Sequence, residues 1–379
     1  MKIQPLTHFR ECVASRFRRA AAGLAVLGKL TCLTIATSLL VDGQTKDPSV
    51  VTLNECWHYR SSDVLNLRPA VDGSNLYLAE NGGRVSAVSL ASGTRLWSAE
   101  LGGEIRSNIV VHGPSVFVVT FDAGKHTRLR TLSVNSGIPT SEVEFPPGEN
   151  VRLAVAGGRL IAALDTGFVA AYEFGSEKST WQGSIPGIDL STIAFSTAKM
   201  MASSADKRIR VISLEDGKEL SNAPVLDQVS VVDILDGDIL AGDDRGNLIR
   251  YNDDYRSVSW RFRNGARLSG IVPTEHGILT ASLDNFVYMV SGYNGDIRWK
   301  KRMAGRVSSI AADGDLGIVE IVGEPNAVFL NLDNGKAVGS LSIADDDSFT
   351  QPVIVADGRL IFFTNTRVIA ESRGPCPPK

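Results

Sequence analysis

Three features of this 379-residue chain predict an all-β fold, a single eight-bladed β-propeller of four-stranded antiparallel blades. They are a repeat of about 41 residues, one tight-turn signal per repeat, and a tryptophan kept at one slot of the repeat. The turn signals come first. Asp72-Gly73, His112-Gly113, Gly157-Gly158, a degenerate Ala198-Lys199, Asp236-Gly237, His276-Gly277, Asp313-Gly314 and Asp357-Gly358 mark eight units. Between them run short Val/Ile/Leu/Tyr segments with partial alternation, such as Ile109–Val111, Val116–Thr120 and Arg128–Val134. Gly, Asn, Asp and Ser interrupt these runs, which is the pattern of strands joined by tight turns. No helix-period stretch follows residue 44.

The tryptophans fix the phase. Trp97, Trp181, Trp260 and Trp299 lie 24, 24, 23 and 22 residues after Gly73, Gly157, Gly237 and Gly277, in the last strand of their units. Spread around a ring at one position, they read as packing anchors between blades rather than as the floor of a cofactor site. The eighth unit, Ser348–Arg373, ends before such a strand. Val50–Arg60, which carries Trp57 in the expected place, is predicted to supply it, so that the N- and C-terminal strands share one blade and close the ring. Cys56 would then lie in that strand and Cys376 just past the last one, and they are either bridged or two free thiols. The organisation expected is an export signal or membrane anchor at 1–44, the propeller at 50–373 and a short tail at 374–379.

Lys2, Arg10, Arg16, Arg18 and Arg19 precede the mostly apolar run Ala20–Val41, the arrangement of an export signal. The run is also long enough to span a bilayer, although Lys29 in its middle is costly there. Either reading places the propeller in the periplasm or on the periplasmic face of a membrane. Residues 1–44 hold six Lys/Arg and two Asp/Glu, so 33 basic and 40 acidic side chains remain, a formal −7. That balance argues against nucleic acid as a partner, and it leaves the membrane reachable only through the N-terminal segment or a partner.

Candidate chemistry is sparse. Cys12, Cys32, Cys56 and Cys376 include no adjacent pair, and His8, His58, His112, His126 and His276 show no ligand spacing. Asp206, Asp243, Asp244 and Asp284 recur at the turn between second and third strands, where Asp satisfies local backbone N–H groups. Asp345–Asp347 could bind calcium but lacks the alternating spacing of a dedicated loop, and reads as a solvated loop. No catalytic residue, cofactor-binding residue or metal ligand is assigned on these grounds, and no cofactor is expected.

A short strand, Asp/Asn-Gly, a strand with Ala-Leu, Ser-Gly and a strand opening on Trp is clearest at Gly82–Trp97, Gly246–Trp260 and Asp284–Trp299. This unit resembles the pyrroloquinoline-quinone (PQQ)-type repeat, over essentially residues 50–373. The family has two branches, quinoprotein dehydrogenases and non-enzymatic propellers such as the outer-membrane assembly factor BamB. Eight blades in one propeller resemble the second. That resemblance implies an envelope scaffold that binds protein partners, the outer-membrane barrel-assembly protein among them, without catalysis. The first branch would imply PQQ with calcium and oxidation of a sugar or alcohol; a propeller for another envelope ligand is the third reading. In BamB-like propellers docking uses an Asp-x-Asp loop and a Leu-x-Leu-Arg loop. Asp227-Gln228-Val229 matches the first at Asp227 and departs at Val229, and Ile185–Leu190 stands in the second region without its Arg. The partner-binding residues so implied are Asp227, Gln228, Ile188, Asp189 and Leu190. A literal Leu-x-Leu-Arg, Leu65–Arg68, lies in the loop entering the first blade.

Overall fold

Eight four-stranded antiparallel sheets stand in a ring in the computed structural model, which describes residues 50–378 except 62–64, 66, 81, 123, 125, 253–256, 345–346 and 366. The predicted export or anchor segment lies outside the described residues, and among the described ones no helix is long and apolar enough to cross a membrane. From the centre outward, blade 1 is Ala70–Asp72, Asn75–Glu80, Arg84–Ser89 and Arg95–Glu100. Blade 3 is Val151–Ala156, Arg159–Leu164, Phe168–Tyr172 and Ser179–Ser184, and blade 4 is Ile188–Phe195, Lys199–Ser204, Arg208–Ser213 and Glu219–Pro224. Blade 5 is Val229–Leu235, Asp238–Asp243, Asn247–Tyr251 and Val258–Arg263. Blade 6 is Leu268–Thr274, Gly277–Ser282, Phe286–Val290 and Ile297–Arg302, and blade 7 is Val307–Asp313, Leu316–Ile321, Ala327–Asn331 and Ala337–Leu341.

Blade 8 is built from both chain ends. Phe349–Ala356, Arg359–Thr364 and Arg367–Ser372 supply three strands, and Asn54–Arg60 pairs antiparallel with the last, Trp57 opposite Ala370. Cys56 and Cys376 are disulfide-bonded with their Cα atoms 5.5 Å apart. The residues after Arg373 are tied down as well, Asn54 Nδ2 donating to the Gly374 carbonyl at 3.1 Å and buried Arg359 to that of Pro377 at 3.0 Å. All eight predicted turns join first to second strands. At the degenerate site the turn is longer, Ser196–Ala198, and Lys199 already begins the strand. Blade 2 departs from the regular plan. Its inner strand is split into Glu104–Ile105 and Val110–His112, both on Ser115–Phe121, because Ser107 leaves the blade to bridge Val151 of blade 3.

Packing explains the strand composition. A second strand such as Arg359–Thr364 is buried along its whole length because neighbouring blades cover both faces, whereas the outer strand Val258–Arg263 alternates exposed and buried. Eight apolar clusters result, one at each blade junction. The tryptophans sit at five of these junctions. Each indole Nε1 donates to a carbonyl in the next blade's turn between third and fourth strands: Trp57 to Leu90, Trp97 to Val134, Trp181 to Leu214, Trp260 to Gly292 and Trp299 to Leu332, at 2.7–2.9 Å. The six-membered half of each ring lies on a glycine of that turn. At Gly217, with φ +72°, a Cβ would stand 2.6 Å from the Trp181 ring, so only glycine admits both the backbone and the indole. Where blade 2 offers Ser141 at this slot, its junction with blade 3 instead stacks Phe174 on His112, ring centroids 4.0 Å apart.

Candidate functional site

The loops that lead from one blade to the next, together with the turns between second and third strands, crowd onto one face of the ring. There the inner strand of blade 4 breaks register more deeply than in any other blade. Ile188 pairs with Ser204 and Ile193 with Ala202, so five steps along one strand oppose two along its partner. The surplus, Asp189–Thr192, is a bulge held by its own side chains: Asp189 Oδ1 accepts from Ser191 N at 2.9 Å and Ser191 Oγ at 2.6 Å, and Thr192 Oγ1 donates to the Asp189 carbonyl at 3.1 Å. Bulges of this kind re-aim side chains beside functional sites.

The bulge forms one wall of a depression of about 440 Å³. Ile188, Asp189, Leu190 and Gln228 all line it, together with Asn150, Asp165, Ser191 and Ala205. Four of the five residues implied in partner binding therefore meet in one place. Ile188 is buried with the core of blades 3 and 4 and Leu190 packs partly against it, so Asp189 and Gln228 are the polar members. Two further lining residues are tied together, Asp165 Oδ2 accepting from the backbone and side-chain N–H groups of Asn150 at 3.0 and 3.2 Å.

Asp227 is not among the lining residues. Its carboxylate is only 13% exposed, held by Arg245 at 3.0 Å and Lys207 at 4.0 Å, each from a neighbouring turn. The side chain available beside it is Leu226, 65% exposed. Sequence reading missed Leu226, Asn150 and Asp165; Asp165 occupies the same turn between second and third strands as Asp206, Asp243, Asp244 and Asp284 and was legible by that position. Leu65 of the literal Leu-x-Leu-Arg is 2% exposed in the core between blades 8 and 1.

Those turn aspartates are engaged one by one. Asp243 Oδ1 accepts from Arg245 N and Asn247 N at 2.9 and 2.8 Å, and Asp284 Oδ1 from Phe286 N at 3.0 Å. Asp244 faces Arg267, and Arg210 beside Asp206 holds that carboxyl far below the usual range. They lie in three turns, Asp243 and Asp244 sharing one, and among the described residues no three His, Cys, Asp or Glu side chains converge as a metal site. Asp345 and Asp346 fall outside the described residues. Asp347 is not solvated: its side chain is 3% exposed and accepts from Ser348 N and Asn365 N at 3.0 and 2.9 Å.

A family model described as outer membrane protein assembly factor BamB matches residues 51–140. Among solved structures, BamB from Moraxella catarrhalis is 15% identical with a TM-score of 0.66, covering 85% of this chain and 98% of that one. The C-terminal WD40 domain of Sif2 is 11% identical with a TM-score of 0.70, covering 85% and 99%. The computationally designed Ika8 protein is 9% identical with a TM-score of 0.67, covering 83% and 99%. No curated protein matches. At such identities the structural likeness establishes the propeller fold, and the family model adds that residues 51–140 resemble the repeat of BamB.

Proposed function

We propose that this propeller is a non-enzymatic scaffold of the cell envelope that binds a protein partner through the face carrying the blade 4 bulge. The observation that carries the reading is the convergence of Asp189, Leu190 and Gln228 on one depression, with Leu226 exposed two residues before Gln228. A shallow site offering a carboxylate, an amide and an exposed leucine beside a buried apolar floor suits a peptide segment or loop of another protein. Asp227, fastened by Arg245 and Lys207, is held inward instead of reaching outward. The resemblance to BamB supports an exported protein and a role in outer-membrane β-barrel assembly, with the large barrel-assembly protein as the partner. The reading calls for no cofactor.

The test is affinity purification of the tagged full chain from gently cross-linked envelopes, comparing wild type with the pair Asp189→Arg and Leu226→Arg. Recovery of the barrel-assembly protein with wild type, reduced about tenfold or more by the pair, is the expected result. Equal recovery by both would remove the depression as the docking site, and its absence from the wild-type sample would remove the assembly role.

A further inference from the structure

The propeller is acidic overall, yet its outermost strands divide that charge unevenly. Val258–Arg263 of blade 5 and Ile297–Arg302 of blade 6 carry Arg261, Arg263, Arg298, Lys300, Lys301 and Arg302 with no carboxylate. The other six outer strands together hold two cations, Arg60 and Arg95, against five glutamates. The two basic strands sit on neighbouring blades, whose shared core packs Phe262 against Tyr288 with ring centroids 5.3 Å apart. All six cations but Lys301 are exposed. None forms an ion pair with a described residue, in a molecule whose other arginines are widely paired. Arg298 donates to the His276 carbonyl and Lys300 lies 5.9 Å from the Phe286 ring centroid, so neither charge is neutralised.

The same strands begin on exposed apolar residues. Val258 is 44% and Ile297 48% exposed, and Tyr293, in the turn leading into Ile297–Arg302, is 91% exposed. That turn is rigid: its Gly292 carbonyl accepts from Trp260 Nε1 at 2.9 Å and Arg250 Nη1 at 2.6 Å, and Gly295 N donates to the Ser291 carbonyl at 3.0 Å. Asp296, the carboxylate of the turn, is occupied by Asn294 at 2.6 Å. The fold thus holds a tyrosine ring out in water on a fixed support, where it contributes no packing. Charges on outer strands also guard against edge-to-edge pairing. The other six outer strands manage that with at most two Lys, Arg or Glu each, so edge protection does not account for six cations on two.

We propose that the rim of blades 5 and 6 is a peripheral docking surface for an anionic phospholipid bilayer. Tyr293, Ile297 and Val258 enter the headgroup region, where an amphipathic ring is favoured, and the cations, unpaired among the described residues, face the lipid phosphates. A convex strip of separate charges matches an extended anionic surface better than a discrete anion, which wants convergent donors. A propeller seated on its rim leaves both of its faces open to partners, and the local patch is hidden in a net charge that had left the membrane to the N-terminal segment or a partner.

The experiment is flotation of the full chain with vesicles of phosphatidylcholine, with or without about 30 mol% phosphatidylglycerol. Residues 1–44 contribute equally to every sample, so the comparison is between wild type and variants. Arg261→Glu, Arg263→Glu, Lys300→Glu and Arg302→Glu together are expected to lower partition onto anionic vesicles at least about tenfold and leave partition onto neutral vesicles unchanged. Tyr293→Ser with Ile297→Ser is expected to lower it about threefold or more. Lys300→Gln with Arg302→Gln serves if the reversed variant fails to melt cooperatively. Equal partition of wild type and a folded charge variant onto anionic vesicles overturns the proposal. So does a charge effect seen only with soluble dextran sulfate, which would assign the strip to a polyanion in solution.

Discussion

Glu320 carries a carboxyl group into the junction between blades 7 and 8, 1% exposed, where its Oε1 accepts from Val353 N at 3.1 Å. Burial pushes its pKa up to about 7, against about 4.5 in an unfolded chain. The folded state then keeps a proton that the unfolded state releases, so the stability this group contributes is present in full below about pH 4.5 and falls as pH rises towards about 7. The span corresponds to at most about 3 kcal/mol. Glu320→Gln keeps the acceptor and cannot ionise. It is expected to raise the stability against urea at pH 8 and to leave it nearly unchanged at pH 4; an equal effect at both values would sink the assignment. Nothing in the repeat marks Glu320, because a lone Glu in the apolar run Leu316–Ile321 reads as an outward position until the next blade is seen to cover it. The residues of the depression follow the same logic. Asp189 and Gln228 were placed by their loops, but whether a carboxylate points outward or is seized by an arginine, as Asp227 is by Arg245, depends on turns one blade away.

Elements were legible where backbone geometry demands a particular residue. The turn glycines, and the Ser-Gly, Asp-Gly or Asn-Gly steps before the outer strands of blades 1, 2, 4, 6 and 7, take conformations that other residues adopt poorly, so they survive in the sequence as markers of the blades. The blade 4 bulge left little trace, since Ile188-Asp189-Leu190-Ser191 alternates like an unbroken strand, the phase changes only at Ser191-Thr192, and the pairing partner is what reveals the slip. At the junctions the indole and the glycine are one device. Trp181→Ala removes a side chain only 9% exposed together with its hydrogen bond, and should cost about 3–5 kcal/mol in guanidinium denaturation. Gly217→Ala, which removes nothing, should still cost about 1–3 kcal/mol, because its Cβ would meet the indole at 2.6 Å from a backbone with φ +72°. In a Trp181→Ala background the steric part of the Gly217→Ala penalty should vanish, leaving the smaller backbone part. Additive losses would mean that the two residues do not share a contact.

A ring made of nearly equivalent blades has one place where it can come undone, the blade assembled from both ends. Each of the other blades is continuous in the chain, so its strands find one another over short loops. Asn54–Arg60 must close on Arg367–Ser372 across 320 residues, the separation of Cys56 and Cys376. Loop closure on that scale is costly, and a covalent link removes the cost from the folding reaction by confining the unfolded chain. The closing strand also carries Trp57, whose indole reaches Leu90 of blade 1, so opening blade 8 breaks a junction on its far side as well. Reduction is therefore expected to destabilise the whole ring by about 2–5 kcal/mol, seen as one cooperative transition at lower temperature when dithiothreitol is added. Cys56→Ser should melt like the reduced wild type and be indifferent to the reductant. An oxidised wild type whose melting is unmoved by dithiothreitol, with free thiols then titrating at both positions, would mean that the strand pairing and Trp57 alone hold the ring closed. The opposite result, loss of cooperativity in Cys56→Ser with blades melting separately, would mean that the junction clusters couple the blades only while the ends are joined.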